Sequence, residues 1–320
     1  MKLPLTFVLL FLASLCFAQR QNVYFLKNNG KHVEVRDSAD YIRIVREPDS
    51  GSVNFNVFEY YLDGKVQMLG KSSTVDPLTL EEQCIRFFKN GGKKTASTYK
   101  KGLLINIEYY YFPNGKIYQA LTYPDNGLLY NELENNFLIN ECRDSTGTSL
   151  VSEGNGHYIG YDEDFKKITE QGDVKNGKRE GVWQGRNDNR HTSFEETYNN
   201  GILVTGFAKL DDGKTVNYTK ARSVAPQFRG GLDGFARYLS NNIQYPDIAR
   251  ENNIQGKVVL SFVVEKDGRI TEIKVTKSVV PVIDQEAVRV LNNSPKWVPG
   301  TMYGSPVRVQ YSVPVSFALN

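Results

Sequence analysis

From Tyr61 to Gly213 one short pattern recurs: an aromatic or apolar residue, two or three polar residues, a glycine, then another extended run. It stands at Tyr61-Leu-Asp-Gly64, Phe88-Lys-Asn-Gly91, Tyr99-Lys-Lys-Gly102, Phe112-Pro-Asn-Gly115, Val174-Lys-Asn-Gly177, Tyr198-Asn-Asn-Gly201 and Leu210-Asp-Asp-Gly213. Glycines 91, 102 and 115 are 11 and 13 residues apart, 201 and 213 are 12 apart, and 177 to 201 is two such steps. Asn-Gly and Asp-Gly supply the positive φ of tight hairpin turns, and a period this short leaves no room for the crossover that parallel strands need. An antiparallel meander is expected over residues 19–218. With 19 Tyr and 17 Phe against 2 Trp, the composition supplies strand formers, and 27 Gly supply the turns. Val23 to Val45, around Asn28-Asn29-Gly30, reads as one further hairpin.

At 320 residues the chain is long enough for two domains. A net charge of +3 with 23% charged residues lacks the signature of a polyanion binder, so no nucleic-acid partner is expected. Residues 1–18 read as an export signal: Lys2, an apolar run from Leu3 to Phe17, and small residues before a cleavage point after Ala18. Fifteen helical residues span about 22 Å, short of the roughly 30 Å hydrocarbon core, so export to the periplasm is favoured over an inner-membrane anchor. Cleavage would remove Cys16 and leave Cys84 and Cys142. In an oxidising compartment these permit a disulfide closing a 58-residue loop, worth about 4 kcal/mol. Two separate buried thiols fit the sequence equally well.

The last hundred residues form a different unit. Residues 219–320 carry 13 Lys and Arg against 8 Asp and Glu, whereas residues 19–218 carry 25 against 28. Leu232, Phe235, Ala236, Leu239 and Ile243 make a helical stripe that must end near Gln244-Tyr245-Pro246, with a short helix after Pro246. Val258, Leu260, Phe262 and Val264 share one face of a strand that turns at Asp267-Gly268 into a second. Ile283, Ala287, Val290 and Leu291 make another helical stripe, and Val307 to Leu319 alternate apolar and other residues over thirteen positions, a strand with one buried face. The fold class is therefore α+β: antiparallel hairpins followed by a small two-layer domain of helices on an antiparallel sheet.

Two resemblances follow from these residues. Lys175-Asn-Gly-Lys-Arg-Glu-Gly181-Val-Trp183, followed by Tyr198-Asn-Asn-Gly201, resembles the MORN-like repeat over 165–218, and 55–130 resembles it more loosely. That implies a stacked scaffold, which would offer a docking surface to a second envelope protein; the favoured reading of the aromatics themselves is simply the core between hairpins. Pro226-Gln-Phe-Arg-Gly-Gly-Leu, Gln244-Tyr245-Pro246, Gly256-Lys-Val-Val-Leu-Ser-Phe, Asp267-Gly268, Trp297-Val-Pro299-Gly300, Gly304-Ser-Pro306 and Val313-Pro314-Val315 resemble the TonB C-terminal domain, especially in its Bacteroidetes version, over 225–319.

The second resemblance implies a periplasmic domain that captures the box peptide of an outer-membrane TonB-dependent transporter as an added strand. It implies pairing along Val307, Arg308, Val309, Gln310, Tyr311, Ser312 and Val313, with Gln244, Tyr245 and Pro246 beside it. Arg308 and Gln310 point off the buried face, where they either read the peptide or are simply solvated. Pro314 suits an edge strand. The same edge would serve a second copy, so a homodimer is an alternative. The chain lacks the Pro-rich spacer of an energy transducer, so peptide capture carries over and force transmission does not; if residues 1–18 stay as an anchor, an atypical transducer for nutrient uptake is the alternative. A secreted enzyme using the tail as an adaptor ranks last. His32, His157 and His191 have no metal-ligand spacing, no cofactor fingerprint is present, Gly154-Asn-Gly156-His-Tyr-Ile-Gly160 reads as a loop, and Glu195-Glu196 as strand surface. Cys84 with His157 is the one nucleophile and base pair to test.

Overall fold

The computed structural model describes residues 20–128, 136–219 and 221–319. The export signal expected over 1–18, with Cys16, lies outside the described residues. The chain divides into two compact units: residues 1–156 with 176–178, and residues 157–175 with 179–320.

In the first unit, strands Gln21–Leu26 and His32–Val33 form the expected hairpin around Gly30, and Tyr41–Arg46 pairs along the other side of Gln21–Leu26. Phe55–Tyr61, Val66–Ser72, Leu80–Phe87, Lys93–Lys100, Leu103–Tyr111, Ile117–Leu128 and Leu138–Arg143 then follow, each antiparallel to the one before. The glycines of the recurring pattern, 64, 91, 102, 115, 177, 201 and 213, all have φ between +76° and +88°, as hairpin turns require. Cys84 and Cys142 are buried as two thiols and not as a disulfide, so the cross-link that the sequence permitted is not made. Burial pushes the Cys84 thiol up to about 11, which keeps it protonated at neutral pH and removes it as a nucleophile.

The second unit opens with more hairpins: Ile168–Lys175, Lys178–Asn187, Thr192–Asn199, Ile202–Leu210 and Thr215–Tyr218. Gly154 stands in a turn, but residues 155–160 are not a loop, because Asn155–Tyr161 is a strand. Trp183 is fully buried, stacked on Tyr158 at 5.5 Å, and Arg179 lies over its ring at 4.1 Å. Gly172 makes this possible, since a Cβ there would stand 2.3 Å from Trp183 Cγ.

Glu196 corrects the expectation of strand surface. It is 0% exposed and accepts hydrogen bonds from Tyr198 and Tyr218 hydroxyls at 2.9 and 2.7 Å and from Arg222 Nε and Nη2 at 3.0 and 2.6 Å. Arg222 Nη2 also donates to Glu170 Oε2 at 3.0 Å, and Arg179 grips Glu170 through both terminal nitrogens at 3.0 and 2.6 Å. A buried carboxylate survives only when its charge is matched in this way. Tyr303 stacks on Phe194 at 5.3 Å and meets Tyr218 edge-on at 6.1 Å, so the terminal segment packs on the last hairpins.

The terminal segment keeps its own core. Helices α1 (Gly231–Asn242), α2 (Asp247–Glu251) and α3 (Pro281–Asn292) cover one face of a three-stranded sheet whose long strands are β1 (Gly256–Val264), β2 (Ile270–Lys277) and β3 (Val309–Phe317). The order is β2-β1-β3, antiparallel throughout. Ile283, Ala287, Val290 and Leu291 of α3 are fully buried, as their spacing predicts. On α1 the stripe is rotated: Phe235, Tyr238 and Leu239 face the core while Leu232 is 83% exposed and Ala236 lies outside. At the start of this segment Ser223–Val224 pairs with Thr301–Met302. Trp297 holds the centre, its ring meeting Phe228, Phe235, Phe262 and Tyr311 at 5.2 to 5.9 Å.

Two outcomes are expected. Burial opposes ionisation of Glu170, but the Arg179 and Arg222 guanidiniums overcome it and hold the carboxyl down to about 2. A depressed pKa adds stability that is complete above the ordinary value of about 4.5 and lost as pH falls toward 2, at most about 3 kcal/mol. Glu170→Gln should therefore flatten the loss of urea-unfolding free energy as the pH falls from about 5 to about 2.5. Gly268, at φ +81°, would bring a Cβ to 2.1 Å from the Trp297 carbonyl oxygen. Gly268→Ala should cost on the order of 3 kcal/mol in the same measurement.

Candidate peptide-binding site

β3 alternates as its sequence predicts. Val313, Val315 and Phe317 are buried and Tyr311 half-buried, while Gln310, Ser312, Pro314 and Ser316 are exposed on the other face. Its register against β1 runs without a break from Val309 opposite Val264 to Phe317 opposite Gly256. One rim of β3 is thus saturated. Among the described residues no strand pairs with the other rim.

β2 is also an edge, yet the two edges differ in chemistry. β2 carries Glu272, Lys274 and Lys277 along a mostly exposed strand, the kind of charged edge that discourages pairing. β3 has no charged residue from Val309 to Phe317. Pro314 sits in mid-strand opposite Val259. A proline there leaves the β1–β3 ladder whole only where its nitrogen faces the open rim.

The expected docking run begins two residues too early. Val307 and Arg308 precede β3, and the Val307 N–H already donates to Gly300 O at 2.8 Å. Arg308 is held by Glu265 at 3.0 Å and by Glu272, both across the sheet, and Gln310 Nε2 donates to Ser261 Oγ at 3.0 Å. Both side chains point off the buried face, as expected, but toward partners in their own sheet. Val309, Tyr311, Ser312 and Val313 stand in β3 itself.

The structure does not bring Gln244-Tyr245-Pro246 beside Val307–Val313. Tyr245 meets β3 at Phe317, ring to ring at 5.9 Å, which is four residues past Val313 and about 13 Å along a strand. Its hydroxyl donates to Ile254 O at 2.5 Å. The segment lines a separate polar cavity of about 680 Å³ with Val282, Glu286 and Arg289 of α3. There the Gln244 N–H donates to Glu286 Oε1 at 2.5 Å, and Arg289 brackets the same carboxylate at 2.7 and 2.8 Å. Burial opposes the charge on Glu286, and these donors win and hold its pKa low. The tripeptide's visible work is to fix the exit of the chain from α1.

Sequence reasoning missed a second feature. Between the start of α1, Trp297 and β3 lies an apolar cavity of about 320 Å³, lined in part by Phe228, Leu232, Tyr311 and Val313. The signal for it was present in the Phe228-Arg-Gly-Gly-Leu232 run, but only the rotation of α1 shows which side of Leu232 is open.

Elsewhere the histidines each sit beside an aspartate: His32 with Asp76, His157 with Asp173 and His191 with Asp211, at 2.8 to 3.2 Å. No group of three or more His, Cys, Asp or Glu suited to a metal occurs among the described residues. No helix among them is long and apolar enough to cross a membrane.

No curated protein matches the chain. Two solution structures of the Helicobacter pylori TonB C-terminal domain, of its residues 179–285 and 194–285, are each 24% identical to it with a TM-score of 0.23. The first covers 28% of this chain and 80% of the neighbour, the second 27% and 91%. Residues 241–319 match the family of the Gram-negative bacterial TonB protein C-terminal, and the chain carries a domain of that family there.

Proposed function

We propose that the terminal domain captures an extended segment of an outer-membrane TonB-dependent transporter by adding it as a fourth strand along Val309–Val313 of β3. The observation that carries this reading is the uncharged, one-sided pairing of β3, whose second rim offers backbone N–H and C=O groups to a visitor. The family match supports a place in the envelope, facing the periplasm, and belongs to a non-enzymatic family. The hairpin region then serves as a MORN-like scaffold, with its aromatics spent on its own packing and its outer surface left for a second envelope protein.

The run proposed here starts at Val309 because Val307 is committed to Gly300. If Pro314 turns its nitrogen to the rim, then Gln310 and Ser312 turn their N–H groups the same way, since side and backbone directions alternate with period 2. Ser312→Pro in the full-length protein removes one rim donor while leaving the ladder to β1 whole. Titration with a labelled peptide spanning the transporter's N-terminal extended segment should show affinity falling by about tenfold with the melting temperature kept, the scale of one lost net hydrogen bond. Equal affinity for both proteins would rule out strand addition at this rim.

A further inference from the structure

A strand added to β3 lies about 4.8 Å away and shows every second side chain to the face on which Tyr311, Val313 and Val315 sit. The 320 Å³ cavity lies on that face beside the edge strand, with Tyr311 and Val313 as one wall and Phe228, Leu232, Phe235 and Trp297 among the others. Its volume is at the lower end of ligand sites, about 300 to 1,000 Å³, so it suits a side chain and not a large molecule. No charged residue lines it, so a carboxylate or ammonium entering it would lose its water and find no counter-charge. Four of its walls are aromatic rings, which pack best on another ring or a branched apolar group. Leu232 stands on its rim 83% exposed, a large apolar side chain that nothing in the terminal domain covers.

We propose that this cavity is the specificity subsite of the β3 edge, and that it takes one aromatic or leucine-sized side chain of an extended peptide paired to that strand. The proposal rests on the strand-addition reading and adds what strand addition lacks. Backbone pairing is blind to sequence, and a single apolar pocket beside it selects the register, because a slip of one residue would turn the anchoring side chain to solvent.

The test uses the full-length protein and nine-residue fluorescent peptides of alternating Thr and Ser with one central residue, Phe, Leu, Ala or Asp. Phe and Leu peptides should bind about tenfold or more tighter than the Ala peptide, and the Asp peptide weakest, the scale set by burying several methylene equivalents. Leu232→Glu, at an exposed position that leaves the fold intact, should abolish the preference for Phe and Leu over Ala. Binding of Phe, Leu and Ala peptides with one affinity, or a preference that survives Leu232→Glu, overturns the subsite and spares strand addition. Failure of every peptide to bind overturns both. Should the protein sediment as a dimer that Leu232→Glu dissociates, a second copy fills the cavity and the peptide subsite is refuted.

Discussion

The terminal domain depends on β3 being pinned on one face and one rim; among the described residues no strand pairs with its other rim. The pinning is hydrophobic: Val313, Val315 and Phe317 go into the core, and a slip of one residue would turn all of them to water at once. The ladder to β1 then follows without a bulge from Val309 to Phe317. With the strand held this firmly, its outer backbone groups are presented in fixed positions, and an extended partner of the kind proposed would meet a preformed template with little ordering cost on the protein's side.

Trp297 connects this strand to the helices. It is fixed from behind by Gly268, whose carbonyl accepts its N–H at 2.9 Å and whose missing Cβ lets the Trp297 backbone approach. In front it meets Tyr311 and Phe262 from the sheet and Phe228 and Phe235 from the start of α1. The same residues that close the core also leave the apolar hollow at the rim, because α1 begins at Gly231 with Leu232 turned outward. The core and the proposed recognition pocket are therefore two sides of one aromatic cluster.

The second unit is held by a different kind of interaction. Glu170 bridges Arg179 and Arg222, and Arg222 also holds Glu196, with Tyr198 and Tyr218 completing the donors around Glu196. Such a network adds little net stability over apolar packing, but removing one member leaves an unmatched, largely desolvated charge. Arg222 and Tyr303 belong to the terminal segment, Phe194 and Glu196 to the hairpins, so the network also fixes how these two parts of the unit meet. The domain's own core does not extend to this seam.

Local chemistry settled a good deal in advance. Asn-Gly and Asp-Gly turns have few conformations open to them, so the hairpins and their positive-φ glycines were readable one by one, and the period-2 run at the end of the chain announced a half-buried strand. The helical spacing of Ile283, Ala287, Val290 and Leu291 was equally legible, since all of one side is buried. What the tertiary structure alone decided concerns groups whose neighbours are distant in sequence. Glu196 is buried because Arg222 comes to it across 26 residues, α1 is rotated because Phe235 and Tyr238 have aromatic partners to meet, and Gln244-Tyr245-Pro246 is drawn to α3 by Glu286 and not to the docking run. Alternation tells which residues share a face. Only the assembled sheet tells which rim of β3 is left without a neighbour, because pairing is a property of two strands and no single stretch of sequence contains both.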